Sequence, residues 1–564
     1  MLTLVWFKRD LRIDDHAALY QASQRGAVLP LYIIEPDYWQ QPDTSLRQWD
    51  FIAEALVELD QQLRRLGQPL LVQRGPASQV IRQLCQQWPI SAVYSHEETG
   101  NLWSYQRDLA VRRTLQQLNI PWQEFRQFAV FRPLANRDDW FSHANAYLTS
   151  PLIPPPQQLQ PLSTLRQSLP HPILFDQAFE SVGAMSPIIS TLQRFRPVRK
   201  TDLPSCTSPQ RAADLPLVLQ SFFQQRCVNY QRHISLPAKA SQSCSRLSPY
   251  LSYGMLSLRA LQQQCWLSLK QDSSRERQRG LTAFFSRLRW HCHFMQKLED
   301  APVLEVRNMH TGFDGMREFD FCPEKFRAFC QGQTGYPLID AAMRSLLATG
   351  WLHFRGRAML VSFATYHLWL HWRPVALHLA QCFVDYEPGI HYPQIQMQAG
   401  TTAMNPYRMY NPLKQSQQKD PDGAFIRYWC PELSPLPDSW LHQPWLLPDN
   451  LQTQYGVVLG RDYPRPIVAL EPAMRAARQQ LSAWKKQQDR SLWQQQKQQL
   501  VVKHASRKGS YKRTATRRSE SSTQTIRHEA KPSLATGSFA KGSSAQQSQP
   551  QQLSMFTTDL TSET

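Results

Sequence analysis

The ten cysteines of this 564-residue chain include no Cys-x-x-Cys pair, the spacing that zinc and iron–sulfur sites favour. They read as reduced, mostly core thiols of a long cytosolic protein, and no metal centre is expected. Long apolar runs are missing too: no window approaches the roughly 18 residues of a membrane span. The N-terminus, MLTLVWFKRDLR, meets charge within eight residues and so lacks the core of a signal peptide. These absences point to a cytoplasmic, nucleoid-associated protein, expected to be a monomer with no membrane partner. Acidic residues are also short, 44 against 63 Lys and Arg, for a net charge of +19. Such an excess favours a polyanionic partner through counterion release; the plain alternative is a basic soluble enzyme.

Glycine is scarce, 21 residues against 41 prolines, and no GxGxxG follows the first strand-like run. A Rossmann dinucleotide site is therefore unsupported. What is present over residues 1–130 is alternation. LTLVWF, AVLPLYII, PLLVQRG and ISAVYSHEE read as strands, separated by amphipathic stretches such as LRQWDFIAEALVELDQQLRRLG and PASQVIRQLCQQWP. That spacing predicts a doubly wound parallel sheet, an α/β domain with a ligand edge at its strand carboxyl ends. Residues 131–225 carry proline-rich connectors, TSPLIPPPQQLQPL and RFRPVRKTDLPSCTSP, and read as irregular. Residues 226–475 form an all-α domain ending in an irregular coda, and 476–501 belong to one further helix. Residues 502–564 fall to Ser, Gln, Thr, Lys and Arg and read as a disordered basic tail.

Three stretches of the helical domain carry chemistry. In SCSRLSPYLSYGMLS, Ser248 before Pro249 reads as a helix start, and its N–H groups, two serines and Arg246 suit a phosphate; an ordinary capped helix is the alternative. In TGYPLIDAAMRSLLATGWLHFRGR, Pro337 opens a helix, Gly350 closes it, and Trp351 begins another with Arg355 and Arg357. In DYEPGIHYPQIQMQ, two acids flank Tyr386 close to His391, and the arginines beside them suggest a buried ion pair.

Together with WFKRDLRIDDHAAL, HWRP, FVDYE and MYNPLKQSQQKDPDGAFIRYWCPEL, these stretches resemble the cryptochrome/photolyase flavoprotein family, in order from residue 1 to about 440. The branch is divergent and similar to the deoxyribodipyrimidine photolyases. The resemblance implies an N-terminal antenna domain and a helical domain holding FAD. It also implies blue-light electron transfer to a pyrimidine dimer in damaged DNA, or light signalling. An antenna pigment is implied but undetermined: a folate, a deazaflavin and an empty pocket all remain open. Carried over by position, Tyr230 approaches the FAD phosphates, and Cys244, Ser245, Arg246, Leu247 and Ser248 form the phosphate loop, with Cys244 in place of the usual threonine. Trp351 lies near adenine, Arg357 and Asp385 pair beside the isoalloxazine, and Glu387, next to Tyr386, replaces a second aspartate.

Departures from the family pattern are as informative. Arg287 occupies the position of the glutamate that hydrogen-bonds a cyclobutane dimer, three residues before the stacking Trp290. Phe354 and Ala358 stand where the (6-4) photolyases place histidines. His391 stands where a residue faces flavin N5, with a purely structural histidine as the alternative. Of three relay tryptophans only the middle one is present, as Trp372; the others fall on Ile395 and Phe319, and Met397 replaces a further pocket tryptophan. Electrons then travel another way, through Tyr386 or Tyr392, or reduced FAD arises chemically. Arg287, Arg289, His291, His293 and Lys297 alternate with Trp290 and Phe294, the mixture that grips phosphates and stacks an extrahelical base; Arg355, Lys414 and Arg427 are further candidates. Finally QLSMF, from Gln552 through Leu553 and Met555 to Phe556, resembles the bacterial sliding-clamp-binding motif on a flexible tether. The reading is FAD-dependent, light-driven repair of pyrimidine dimers. The alternatives are a cryptochrome-like photoreceptor signalling to a protein partner, or a DNA-binding flavoprotein without repair activity.

Overall fold

A sheet buried on both faces builds the first domain. The computed structural model describes residues 1–134, 137–162, 187–199, 203–404 and 406–505; the QLSMF segment and nearly all of the basic tail lie outside them. Strands β1 (Leu2–Phe7), β2 (Ala27–Ile34), β3 (Leu71–Arg74), β4 (Ile90–His96) and β5 (Trp122–Phe125) form one parallel sheet in the order β3-β2-β1-β4-β5. In β1, Val5 and Phe7 point into a core shared with α1 (Ala17–Ser23) and α2 (Leu46–Arg65). Leu4 and Trp6 point into the opposite one, shared with α3 (Ala77–Gln87) and α4 (Leu102–Gln117). The doubly wound expectation holds. Strand β5 escaped the sequence reading because WQEF is short, polar and only partly buried, as an edge strand is.

The helical domain follows: α5 (Ser248–Ser252) and α6 (Arg275–Asp300) pack into the core shared with α1 and α2, and α7 (Pro337–Thr349), α8 (Phe354–Ser362), α9 (Trp372–Cys382) and α10 (Pro388–Ala399) surround a second core. Close approaches between elements fall at glycine. A Cβ at Gly280 of α6 would lie 1.8 Å from the Cys227 carbonyl, and one at Gly254, whose φ is +64°, would lie 2.2 Å from the Arg9 carbonyl. Among the described residues no helix is long and apolar enough to cross a membrane.

Several local expectations need correction. The 131–225 connector is partly helical, at Trp140–Thr149, Pro187–Arg194 and Leu215–Gln224. In the last of these the proline sits in the first turn, where its missing N–H costs no hydrogen bond. Ser248 is not an N-cap: Leu247 takes that position and α5 has no side-chain cap. Helix α8 begins at Phe354, not Trp351. The final helix is two, α11 (Leu470–Gln487) and α12 (Arg490–His504), because the Asp489 carboxylate accepts from Ser491 N and Leu492 N and starts a new cap.

Candidate cofactor and substrate site

The turn between α9 and α10 carries the acid pair, and its backbone is held by side chains. An α-helix leaves its last carbonyls without intrahelical partners. Here each carbonyl from Ala380 to Tyr386 accepts from a side chain. Gln48 donates to Ala380 and Phe383, Ser45 to Gln381 and Arg47 to Cys382. Tyr253 donates to Val384, Ser252 to Asp385, and Arg9 to Tyr386 at 2.6 Å. Arg9, Ser45, Arg47 and Gln48 come from the α/β domain, so one domain sets the backbone of the other's site. Sequence reading missed all four. Ser45 and Gln48 do form a capping box at the start of α2, which marks a helix start but not a partner in the other domain.

The turn forms one wall of a cavity of about 310 Å³ between α5, α6, α8 and α10. On that wall Arg357 donates to Asp385 Oδ2 at 2.7 Å and lies over the Phe383 ring at 3.9 Å. Asp385 Oδ1 is buried without a hydrogen-bond partner, an arrangement that costs free energy unless a ligand donor meets it. Burial raises Glu387 to about 7 despite Arg9, 3.4 Å away. Burial pushes His391 down to about 4; its Nε2 lies 2.9 Å from the Ala376 carbonyl, so Nε2 carries the proton and Nδ1 is left an acceptor.

Across the cavity lies the loop Cys244–Leu247. Arg226 donates to the carbonyls of Cys244 and Ser245, and Gln210 to that of Arg246. Arg246 takes a left-handed φ of +60° and lays its guanidinium 4.2 Å over Trp351. Tyr230, Cys244, Ser245, Ser248, Trp351 and Arg246 all line the cavity with the acid pair, Arg357, Tyr386 and His391. Leu247 does not; it is fully buried in the apolar core. Burial raises the Cys244 thiol to about 12, so it stays a neutral lining group.

The rim is different. Arg287 stacks 4.3 Å over Trp290 and 5.6 Å from Phe354, and its Nη1 is buried with no hydrogen-bond partner. His291 also lines the cavity but packs on Phe128, and burial holds it near 4 and neutral, so it cannot neutralise a phosphate. The rest of the alternating basic stretch faces inward. Arg289 donates to Asn145, His293 takes a bond from Arg137, and Lys297 is buried and pushed down to about 8. Arg427 is spent on Asp438 and two carbonyls. Arg355, Met397, Lys414 and Trp372 do not line the cavity. Trp372 is buried and donates to Asn308 at 2.7 Å, while Ile395 does line it and Phe319 is 89% exposed. The site also includes His353, Gln394 and Gln398, which carried no sequence cue. A separate buried cluster, Asp10, His16 and His96, satisfies itself: both imidazoles bond Asp10 Oδ2, and His16 Nδ1 accepts from Leu19 N.

A family model for DNA photolyase matches residues 3–140, and one for the FAD binding domain of DNA photolyase matches 284–483. The deoxyribodipyrimidine photo-lyase of Vibrio cholerae is 31% identical over 465 residues, 79% of this chain and 94% of its own. The chain belongs to the photolyase/cryptochrome family. A cryptochrome DASH of Gloeobacter violaceus is 29% identical over 83% of this chain and 93% of its own. The crystal structure of a Synechocystis cryptochrome superposes with a TM-score of 0.72 at 27% identity, covering 85% of this chain and 99% of that one. This photolyase/cryptochrome protein therefore carries an FAD-binding domain. The cavity fits the cofactor: an unpartnered carboxylate oxygen on one wall, an arginine–serine loop and Trp351 on the other.

Proposed function

We propose that this chain repairs pyrimidine dimers in DNA, using light and reduced FAD. The observation that carries the reading is Arg287, a guanidinium between Trp290 and Phe354 with a buried, unpartnered Nη1, on the rim of the cavity that holds Asp385 and Arg357. A flipped dimer offers carbonyl oxygens to that N–H and flat faces to those rings. FAD, when bound, supplies the light-excited electron donor. The chain's own residues hold and orient. Asp385 Oδ1 offers an acceptor to the isoalloxazine edge, with Arg357 fixing its carboxylate. Arg246, Ser245 and Ser248 hold the phosphates, Trp351 the adenine, and His391 Nδ1 an N–H. Trp290, Phe354 and Phe294 keep water from the rim. Arg355, Met397 and Lys414, outside the cavity, contact the DNA flanking the lesion.

The test is repair of defined cyclobutane-dimer oligonucleotides, single- and double-stranded, by chemically reduced protein in blue light with a dark control. Light-dependent loss of the dimer is expected. No repair by protein with reduced FAD bound would end the reading. It would favour the second one, a cryptochrome-like photoreceptor, which the cryptochrome relatives support. The QLSMF tether is proposed to recruit a monomeric enzyme to the sliding clamp. Deleting Gln552–Phe556 is expected to abolish clamp binding in a pull-down with purified clamp, and unchanged binding would remove that partner.

A further inference from the structure

Which side chain can hand an electron into this cavity? Tyr230, Trp290, Trp351 and Tyr386 are the oxidisable rings that line it, and the last three lie beside charged groups. Trp290 lies under the Arg287 guanidinium at 4.3 Å and Trp351 under that of Arg246 at 4.2 Å. Removing an electron from an indole leaves a cation, and a guanidinium on its face opposes that charge most strongly where water is excluded. Tyr386 has the opposite surroundings. Its ring is 2% exposed, and its hydroxyl donates at 2.6 Å to Asp43 Oδ2, a buried carboxylate from the α/β domain. Tyr392 donates to the same oxygen at 3.2 Å, and Asn101 Nδ2 donates to Asp43 at 3.0 Å. Asp43 thus only accepts. The His391 ring packs against both tyrosines, 5.2 Å from Tyr386 and 5.4 Å from Tyr392, and the two phenols are 6.4 Å apart, centre to centre.

We propose that Tyr386 is the electron donor to light-excited, oxidised flavin in this protein, with Asp43 as its proton acceptor and Tyr392 as the next donor in line. One electron leaves the phenol for the flavin. The phenolic O–H breaks and its proton moves to Asp43 Oδ2, leaving a neutral tyrosyl radical and a neutral carboxyl group. The radical side of the step thus ends with no charge in a dry site. Tyr392, bonded to the same oxygen, can refill Tyr386: its electron passes to Tyr386, Asp43 returns the proton to Tyr386, and the Tyr392 hydroxyl proton passes to Asp43, leaving the neutral radical on Tyr392. The assignment rests on the FAD site and holds whether the protein repairs DNA or signals.

The experiment uses the full-length, flavin-loaded protein, oxidised, anaerobic and without added reductant, illuminated and freeze-trapped for electron paramagnetic resonance. Flavin occupancy is read first from the absorption spectrum, so loss of the cofactor is told apart from loss of the donor. Protein grown with ring-deuterated tyrosine is expected to give a narrowed radical signal, and protein grown with ring-deuterated tryptophan an unchanged one; neither sample needs a variant to fold. Tyr386→Phe is expected to lose the early signal while retaining flavin. Asp43→Asn, which keeps the shape but not the proton acceptor, should slow its build-up about a hundredfold, the usual worth of a positioned base. Build-up in the unaltered protein should slow in D₂O. A signal that narrows with deuterated tryptophan, one that survives Tyr386→Phe, or no protein radical at all would overturn the assignment.

Discussion

The wall around Asp385 and the rim around Arg287 share one device, an arginine laid on aromatic rings, and differ in what meets the cation. On the wall, Arg357 over Phe383 has a carboxylate at 2.7 Å. On the rim, Arg287 over Trp290 has a buried nitrogen with no hydrogen-bond partner. The wall is also overdetermined: the α/β domain reaches across to its backbone through Arg9, Ser45, Arg47 and Gln48. A wall whose backbone and ion pair are fixed inside the chain, with Asp385 Oδ1 left open, suits a resident cofactor, which needs fixed geometry. A rim that keeps a donor unspent suits a ligand that comes and goes, because the missing bond forms only on binding.

The comparison breaks most visibly at the domain contact. Gly254→Ala puts a Cβ into the Arg9 carbonyl at a positive φ. It is expected to cost about 3 kcal/mol of stability, from overpacking together with left-handed strain, measured by denaturant unfolding. Flavin should be lost with it, because Arg9 anchors the Tyr386 carbonyl. Asp385→Asn comes next. A bond to a charged group is worth about 1.5–3 kcal/mol, so FAD affinity should fall about 10- to 100-fold by fluorescence titration with the fold intact. If flavin content is unchanged, the wall is not the cofactor's. Arg287→Ala should leave flavin content alone and weaken binding of a dimer-containing oligonucleotide by about tenfold, the loss of one charged donor. An equal loss on undamaged DNA would reduce Arg287 to a phosphate contact.

A further effect is in pH. Glu387 titrates near 7 in the folded protein against an ordinary value of 4.5, because burial opposes its charge more than Arg9 supports it. The folded state therefore holds more protons than the unfolded one between those values, and stability falls as pH rises through that window. Glu387→Gln should melt above the parent at pH 8 and close to it near pH 4.5. The opposite order at pH 8 would mean that the Arg9 pair outweighs the burial.

Legibility differed between the same two regions. The strands β1 to β4 were readable as short, mostly apolar runs because helices cover both faces of the sheet, and α2, α3 and the span of α7 because burial on one face imposes a period of 3.6. Most residues that line the cavity were legible by resemblance, since they fall in short runs along the chain. Long-range partners were not. No local pattern connects Asp43 with Tyr386, or Ser45 with the Gln381 carbonyl, because they come from different domains. The basic stretch of α6 misled for a related reason: alternation in sequence is not one face of a helix. Arg287 and Trp290 share a face, while Arg289, His293 and Lys297 turn to Asn145, Arg137 and the interior.

By itself the sequence determined the layer architecture, the family and the types of group that line the site, since hydrophobic periodicity and short motifs act over a few residues. Only the tertiary structure decided which other charges are spent and which are kept: Arg427 on Asp438, Arg287 Nη1 without a partner among the described residues, and Asp43 on two tyrosines of the other domain. Hydrogen bonding and burial are settled by distance in space, and groups hundreds of residues apart in the chain meet only when both domains have folded.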